Sequence, residues 1–197
     1  MIQEKSQELL DLLQLEQIEI NLFRGQNEAR MGARLFGGQV LAQALAAAAK
    51  TLEPDRPCHS LHAYFMRPGD ADIAVVYNVE RIRDGRSFTT RRIKAIQKGE
   101  AIFSMDASFQ RREEGLEHQI DMQPFPAPAE LEDDLEVARR MPDTSPMSGW
   151  ATRERAFDIR SVYPMDKARP DNNLNPVWVR FRQPVTDGQW MHQCLLA

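Results

Sequence analysis

The chain has 197 residues, of which 42% are hydrophobic and 27% are charged, and its formal net charge is -4. These proportions are typical of a soluble globular protein, and the negative charge argues against general attraction to nucleic acid or to an anionic membrane surface. Residues 1–20 are acidic, no apolar run is long enough to cross a bilayer, and the two cysteines, Cys58 and Cys194, are far apart. We therefore expect a cytoplasmic protein with no secretory signal, no membrane span and no disulfide framework.

The first predicted elements are a helix and a strand. Residues 3–13 have the spacing of a short amphipathic helix whose leucines share one side. Apolar and polar residues then alternate over residues 18–23, which predicts one strand. A loop over residues 24–35 connects this strand to the next helix.

That helix, over residues 36–51, has the sequence FGGQVLAQALAAAAKT. Between Val40 and Ala49 only Gln43 is polar, and alanine is the best helix former, so a helix is predicted here. A surface helix has a charged face, whereas this segment has no charge before Lys50. We therefore expect a narrow helix covered nearly all round by a strongly curved sheet.

Four strands are predicted after the helix, over residues 58–67, 73–83, 88–97 and 101–110. Each shows the alternation of a half-buried strand. The dipeptides Asp84-Gly85 and Lys98-Gly99 predict tight turns, which make neighbouring strands antiparallel. The predicted fold class is therefore α+β, with a four-stranded antiparallel meander wrapped around the central helix.

The composition changes at residue 111. Residues 111–156 are rich in proline and acidic residues, and we interpret them as a linker with a short helix over 131–141. Residues 157–197 contain two predicted strands and the start of an apolar helix, in the order of the first unit. The predicted domains are thus residues 1–110, a linker over 111–156, and the truncated start of a second unit over 157–197.

Several short segments resemble one family. They are Phe23-Arg24-Gly25, Phe36-Gly37-Gly38-Gln39, the run HSLHAYFMRPG over residues 59–69, the run RDGRSF over residues 83–88, Ala95-Ile96-Gln97 and Ala107-Ser108-Phe109-Gln110. Together, in this order and spacing, they resemble acyl-CoA thioesterase II, the TesB-type enzymes with two fused hot-dog units. The resemblance implies a double hot-dog fold, hydrolysis of acyl-CoA to fatty acid and CoA, and no metal or organic cofactor.

The resemblance also implies where the chemistry lies. In this family an Asp in the central helix of the second unit activates water, assisted by a Thr and a Gln. The matching helix begins near Met191, so all three would lie beyond Ala197. We expect the chain to be an N-terminal portion that is inactive alone, with a second hot-dog unit or a homo-oligomer as its partner.

The candidate substrate-binding residues are Gly37, Gly38, Gln39 and Arg67. A thioester needs an oriented water, a base and an N–H donor for the developing oxyanion, and a helix N-terminus opened by glycines can supply such a donor. Arg67 is a candidate for the CoA phosphates because guanidinium groups bind phosphate oxygens well. The structural alternative is that the glycines only allow close helix packing.

His59 is the candidate catalytic residue within the chain. His59 and His62 are three apart on a strand and face opposite sides, so they cannot bind one metal, and no metal site is predicted. Alternation places His59 on the helix-facing side, where it is a candidate base, and the alternative is a structural histidine at the edge of the core that is satisfied by the backbone. The arginines of the second hairpin, residues 81–92, are interpreted as a solvated face.

Two other functions remain open. A hot-dog hydratase would need an Asp/His pair before its helix, and Phe36-Gly37-Gly38-Gln39 provides neither. A non-catalytic subunit that binds acyl thioesters or supports assembly would need only the first unit. Release of CoA from acyl-CoA distinguishes an enzyme from a binding subunit.

Overall fold

The computed structural model describes residues 2–27, 34–53, 55–142, 155–167, 174–186 and 188–197. Its helices are α1 (Ile2–Leu13), α2 (Gly37–Ala49), α3 (Asp134–Arg139) and α4 (Gln189–Leu196), with a 3-10 turn at Pro128–Glu130. Its strands are β1 (Glu16–Glu19), β2 (Leu22–Gly25), β3 (Cys58–Phe65), β4 (Val75–Asp84), β5 (Phe88–Gln97), β6 (Glu100–Gln110), β7 (Phe157–Ser161) and β8 (Val177–Phe181). None of the helices in these ranges is long and apolar enough to cross a membrane.

Helix α2 packs against a six-stranded antiparallel sheet with the order β1-β2-β4-β5-β6-β3. The helix is buried from Val40 to Ala48 except at Leu41, and its alanines lie against the inner faces of β4, β5 and β6. Alanine side chains are short enough for a helix to approach a sheet closely on more than one side. The predicted α+β arrangement, with a covered alanine-rich helix, is confirmed.

The predicted meander is wrong for its first strand. Hairpins join β4 to β5 and β5 to β6, as the turn dipeptides indicate, but β3 lies beside β6 at the sheet edge. No tight turn follows β3. Instead, the backbone N–H groups of Met66 and Arg67 donate to the Ile102 carbonyl, and residues 66–74 carry the chain away from β3.

The predicted first strand is also wrong. Two short strands, β1 and β2, form a hairpin that reverses at Ile20 and Asn21, with Glu19 paired to Leu22. The alternation in sequence continues through this reversal, so it carries no mark of the turn. The isoleucines Ile18 and Ile20 consequently remain largely exposed.

Helix α4 lies against α2, and the predicted helical start after residue 188 is confirmed. Met191 and Cys194 are buried in the same hydrophobic core as α2. The Gln193 side-chain amide accepts from the Cys58 backbone N–H at 2.9 Å and donates to the Cys58 carbonyl at 2.7 Å. This double hydrogen bond fastens α4 to the start of β3.

The chain divides into two compact units, and we name each by what stabilises it. The helix-and-sheet unit comprises Leu10–Gly115 and Val185–Ala197, and the charged unit comprises Met1–Leu9 and Leu116–Pro184. Within the charged unit, Asp133 caps α3 by accepting from the Leu135 backbone N–H at 2.8 Å, and β7 pairs with β8. The predicted domain boundaries at residues 110 and 156 stay predictions.

Candidate active site

A cavity of about 370 Å³ opens at the N-terminal end of α2, within the helix-and-sheet unit. Its lining combines the helix start, the end of β3 with the turn after it, and the inner face of β6. The lining residues are Leu35, Gly37, Val40, Phe65, Met66, Arg67, Pro68, Gly69, Ile102 and Phe103. Two of the predicted binding residues, Gly37 and Arg67, therefore lie in one cavity.

Two aromatic rings lie against the glycines that open α2. A Cβ on Gly37 would be 3.0 Å from Phe65 Cε1, and a Cβ on Gly38 would be 2.5 Å from Phe36 Cε1. Phe36 is the N-cap residue and makes no side-chain hydrogen bond to the helix. A Cβ at either position would press on the outer end of an aromatic ring, so the glycines leave room for Phe65 and Phe36. Both glycines also leave the first two positions of α2 without side chains.

Gln39 binds the chain's own loop. Its Nε2 lies 3.3 Å from the Gln26 carbonyl and 3.2 Å from Asn27 Oδ1. Asn27 Nδ2 in turn donates to the Ala71 carbonyl at 3.3 Å and to the Ile73 carbonyl. Through Asn27, Gln39 therefore links the helix start to the segment that follows the cavity wall.

Gln43, one turn further along, is fully buried. Its Nε2 donates to the Leu12 and Gln26 carbonyls, both at 2.8 Å, and its Oε1 accepts from the Tyr77 hydroxyl at 2.7 Å. Burial raises the pKa of Tyr77 well above its ordinary value, which keeps this hydroxyl a proton donor. The one polar residue within the apolar run thus has partners for its donors and its acceptor.

The cavity wall over residues 66–69 is continued by a segment that Gln97 anchors. Gln97 is buried; its Oε1 accepts from the Asp70 backbone N–H at 2.8 Å and its Nε2 donates to the Asp70 carbonyl at 2.9 Å. The Leu35 backbone N–H donates to the Gly69 carbonyl at 2.9 Å. We infer that Asn27 and Gln97 hold the wall in place, a role that sequence reasoning missed because their partners are distant in sequence.

Arg67 lies at the cavity with its side chain half exposed. Its Nη1 donates to the Ala101 carbonyl at 2.8 Å and its Nε lies 3.3 Å from Glu100 Oε2. These contacts orient the guanidinium group while leaving it accessible to solvent. This geometry suits a group that meets a phosphate at a cavity mouth.

The prediction that His59 faces the helix is wrong. The register between β3 and β6 shifts between Cys58 and Ser60, which makes His59 the extra residue of a bulge. Its Nε2 lies 2.8 Å from Ser108 Oγ, and its ring lies edge-on to Phe88 with centroids 5.6 Å apart. Ser108 and Phe88 project from the sheet face opposite the buried core residues, so His59 lies outside the cavity.

Two arginines of the β4–β5 hairpin, Arg91 and Arg92, are paired with carboxylates of the same protein. Arg92 lies on the outer face, where it pairs with Asp106 at 2.8 Å. Arg91 departs from the predicted solvated face, because it is buried, donates to Thr51 Oγ1 at 2.8 Å and pairs with Asp84. Within the described ranges, no group of three or more His, Cys, Asp or Glu side chains could hold a metal.

Comparisons with known proteins point to one family. A sequence model described as the acyl-CoA thioesterase N-terminal domain matches residues 27–110. Acyl-CoA thioesterase 2 of Haemophilus influenzae is 41% identical over 96% of this chain and 68% of its own length. Human acyl-coenzyme A thioesterase 8 is 38% identical over 94% of this chain and 62% of its own length.

Solved structures agree with the sequence comparisons. Acyl-CoA thioesterase II TesB2 from Mycobacterium marinum is 39% identical, with a TM-score of 0.73 over 95% of this chain and 66% of that one. A hot-dog-fold protein from Alicyclobacillus acidocaldarius, at 21% identity and a TM-score of 0.73, supports the fold alone. The predicted hot-dog fold is therefore confirmed, and the chain belongs to the acyl-CoA thioesterase II (TesB-type) family.

Proposed function

We propose that this protein hydrolyses acyl-CoA to a free fatty acid and CoA. The observation that carries the proposal is 41% identity to the Haemophilus acyl-CoA thioesterase 2 over 96% of this chain. The chain spans 62% to 68% of the lengths of the relatives named above, so the activity is proposed for the whole protein. That the 197 residues are inactive alone has no support from the comparisons and stays a prediction.

The proposed reaction breaks the bond between the thioester carbonyl carbon and sulfur. Water adds to the carbonyl carbon, a base takes the proton of that water, and the CoA thiolate leaves and is protonated. The carbonyl oxygen gains negative charge in the transition state and is stabilised by N–H donors placed beforehand. A free N–H at the start of a helix is such a donor, and it also lies at the positive end of the helix dipole.

In this proposal the cavity at the start of α2 binds substrate. Its apolar residues, among them Val40, Ile102 and Phe103, would contact the acyl chain. Arg67 would bind phosphate oxygens of CoA from the cavity mouth. Gly37 and Gly38 would allow close approach to the helix backbone, and Gln39 would hold the adjacent loop through Asn27.

The base is proposed to come from the second hot-dog unit. No carboxylate and no histidine lines the cavity among the residues that the structure describes. His59, on the opposite sheet face, hydrogen-bonds to Ser108 instead. The water-activating Asp of the family, with its Thr and Gln, would therefore act from the second unit, as the sequence resemblance implies.

The function is tested by measuring release of free CoA from acyl-CoAs. We expect the protein that contains the second unit to release CoA from straight-chain acyl-CoAs with saturation kinetics. Replacing Gly38 by Val, which puts a branched side chain at the start of α2 and displaces the Phe36 ring, should reduce kcat/KM about tenfold or more. Binding of acyl-CoA without CoA release, by a protein that contains the second unit, would instead establish the non-catalytic binding subunit.

The partner is proposed to pair along the free edge of β3. The opposite edge strand, β1, is short and bears Glu16 and Glu19, whereas β3 is eight residues long and bears no Asp, Glu, Lys or Arg. A short, charged edge strand disfavours pairing with a further strand, whereas a long, uncharged edge strand favours it. The partner would be the second hot-dog unit or a second copy of the chain, in a cytoplasmic protein.

Hydrogen exchange tests this pairing. If β3 is covered in solution, its amides should exchange slowly along both edges, while those of β1 exchange quickly. Molecular mass from light scattering then distinguishes a second copy from a unit of the same chain. Rapid exchange at the outer edge of β3 in a protein containing both units would contradict the proposal.

A further inference from the structure

Phe65 lines the cavity with a ring that contacts other residues on two sides and is exposed to solvent on a third. Its Cε1 and Cζ lie 3.0 Å and 3.2 Å from the position of a Cβ on Gly37. On its other side, the ring packs edge-on against Phe103, with centroids 5.0 Å apart. Phe65 is nevertheless 59% exposed, whereas Phe103 is 1% exposed. The ring thus stands between the helix start and solvent.

The register of the sheet explains this position. Phe65 is the last residue of β3 and pairs with Phe103 on β6, so both lie on the sheet face that carries the core. Ala63 is the preceding residue on this face and does not line the cavity. The missing Cβ of Gly37 leaves the space that the ring fills. Of the residues on β3, Phe65 is the one that lines the cavity.

We propose that Phe65 determines the length of the acyl chain that this protein accepts. This inference rests on the proposed function and identifies its specificity-determining residue. An acyl chain that follows the apolar lining past Val40 and Phe103 meets the Phe65 ring. In an apolar pocket, space for one additional methylene changes the ratio of kcat/KM between two substrates by about tenfold or more. A smaller residue at position 65 therefore admits longer chains.

The test compares Phe65→Ala and Phe65→Leu with Phe88→Ala. Phe88 is the matched control because it is also a partly exposed phenylalanine on this sheet, on the face away from the cavity. Removing the Phe65 ring should leave the fold intact because that ring is mostly exposed, and a denaturation midpoint checks this for each variant. The measurements are kcat/KM for saturated acyl-CoAs of increasing length, and calorimetric binding of their non-hydrolysable thioether analogues.

We expect Phe65→Ala to move the optimum to longer chains and to raise the long-to-short ratio about tenfold or more, with Phe65→Leu between it and wild type. Phe88→Ala should keep the wild-type profile. Identical length profiles for Phe65→Ala and wild type, or an equal loss at every length, would overturn the inference. So would the absence of analogue binding by the wild-type protein.

The two readouts separate this inference from the proposed function. Length-dependent changes in analogue binding with no CoA release from wild type would support the role of Phe65 and remove the hydrolytic function. If wild type releases CoA and Phe65→Ala has the same length profile as wild type, the hydrolytic function stands and the role of Phe65 is contradicted.

Discussion

The two compact units of this chain are stabilised by different forces. The helix-and-sheet unit buries a continuous apolar core that includes the alanines of α2, Phe103 and Met105. The charged unit, within its described residues, buries few apolar side chains, chiefly Leu135, Val137, Ala138 and Ala156. A sheet paired around an apolar helix thus builds a large apolar core, whereas the charged unit, in its described residues, has a small apolar core together with hydrogen bonds of charged side chains.

Charged side chains of the charged unit make hydrogen bonds to neutral groups of the same unit. Asp134 is buried and accepts from both the backbone N–H and the hydroxyl of Ser161, at 2.9 and 2.6 Å. Arg160 donates to the Pro128 and Leu131 carbonyls, which fixes the segment before α3 onto β7. Polar contacts of this kind have strict geometry and are sensitive to substitution, pH and salt.

The largest expected effect is that of Gln43→Met in the helix-and-sheet unit. This change keeps the side-chain volume but leaves the buried Tyr77 hydroxyl and the Leu12 carbonyl without their partner, whereas the Gln26 carbonyl keeps its contact with Gln39. Each buried polar group left unpaired costs about 1–3 kcal/mol, so we expect a total loss of about 3 kcal/mol or more from the free energy of unfolding. Urea denaturation measures it.

The control for this prediction is Gln39→Met, one turn earlier on the same helix. Gln39 is only partly buried and its hydrogen bonds are longer, so its loss should be about 1 kcal/mol or less. Equal losses for the two substitutions would show that the buried hydrogen bonds of Gln43 contribute no more to the free energy of unfolding than those of Gln39.

A smaller effect is expected from Asp158→Asn in the charged unit. Burial tends to raise the pKa of Asp158, but the hydrogen bond from Arg180 and the charge of Arg160 outweigh it and hold the pKa below its ordinary value. Arg180 is largely exposed and regains hydration when the pair is lost, so the cost should be about 1–2 kcal/mol. Hydrogen exchange should quicken in β7 and β8 and stay unchanged in β5 and β6.

The exposed Asp121, in the same unit, supplies the matched control Asp121→Asn. It should leave exchange in β7 and β8 unchanged. Faster exchange across β5 and β6 in Asp158→Asn would mean that the two units do not have separate sources of stability.

The units should also differ in their effect on catalysis. Arg67→Ala, at the cavity, should raise KM for acyl-CoA about tenfold with little change in kcat, because one charge-assisted hydrogen bond to phosphate is worth roughly 1.4 kcal/mol. Arg140→Ala removes an arginine of the charged unit and should leave KM unchanged. An equal rise in KM for both variants would contradict the proposed role of Arg67.

The smallest expected effect is that of low pH on the stability of α3. Arg140 bridges Glu132 and Asp166, and its hydrogen bonds hold the pKa of both carboxyl groups below the ordinary value. A lowered pKa stabilises the fold fully above the unfolded value of about 4, and that contribution is lost as pH falls through the folded values. Exchange at α3 should therefore quicken below about pH 4 while α2 stays protected.

Salt offers a second check on this bridge. Because Glu132, Asp166 and Arg140 are exposed, high ionic strength should also weaken their attraction at neutral pH. Loss of α3 protection between pH 7 and pH 5 at low salt would point to another cause.

The sequence was sufficient where a pattern is local. The alanine run predicted α2 and its nearly complete burial, and the dipeptides Asp84-Gly85 and Lys98-Gly99 predicted two of the hairpins. Six short segments were enough to identify the family. In each case the signal lies within a few neighbouring residues, where chain geometry alone restricts the outcome.

Tertiary structure decided which sheet face and which neighbour each residue has. Strict alternation placed His59 toward the helix, but one extra residue in β3 turned it to the outer face beside Ser108. Similarly, β3 pairs with β6 because the segment after it is bound by Ile102, Leu35 and Gln97, all distant in sequence.

The cavity is lined by residues of both kinds, some identified from the sequence and one recognised only from the tertiary structure. Gly37 and Arg67 were named from the sequence because glycine and arginine have distinctive chemistry. Phe65, an ordinary strand residue by sequence, became a cavity wall only when folding brought Gly37 and Phe103 to either side of its ring. Sequence determines which side chains are available, and long-range packing determines which of them meet, because strand register is fixed by contacts across the whole sheet.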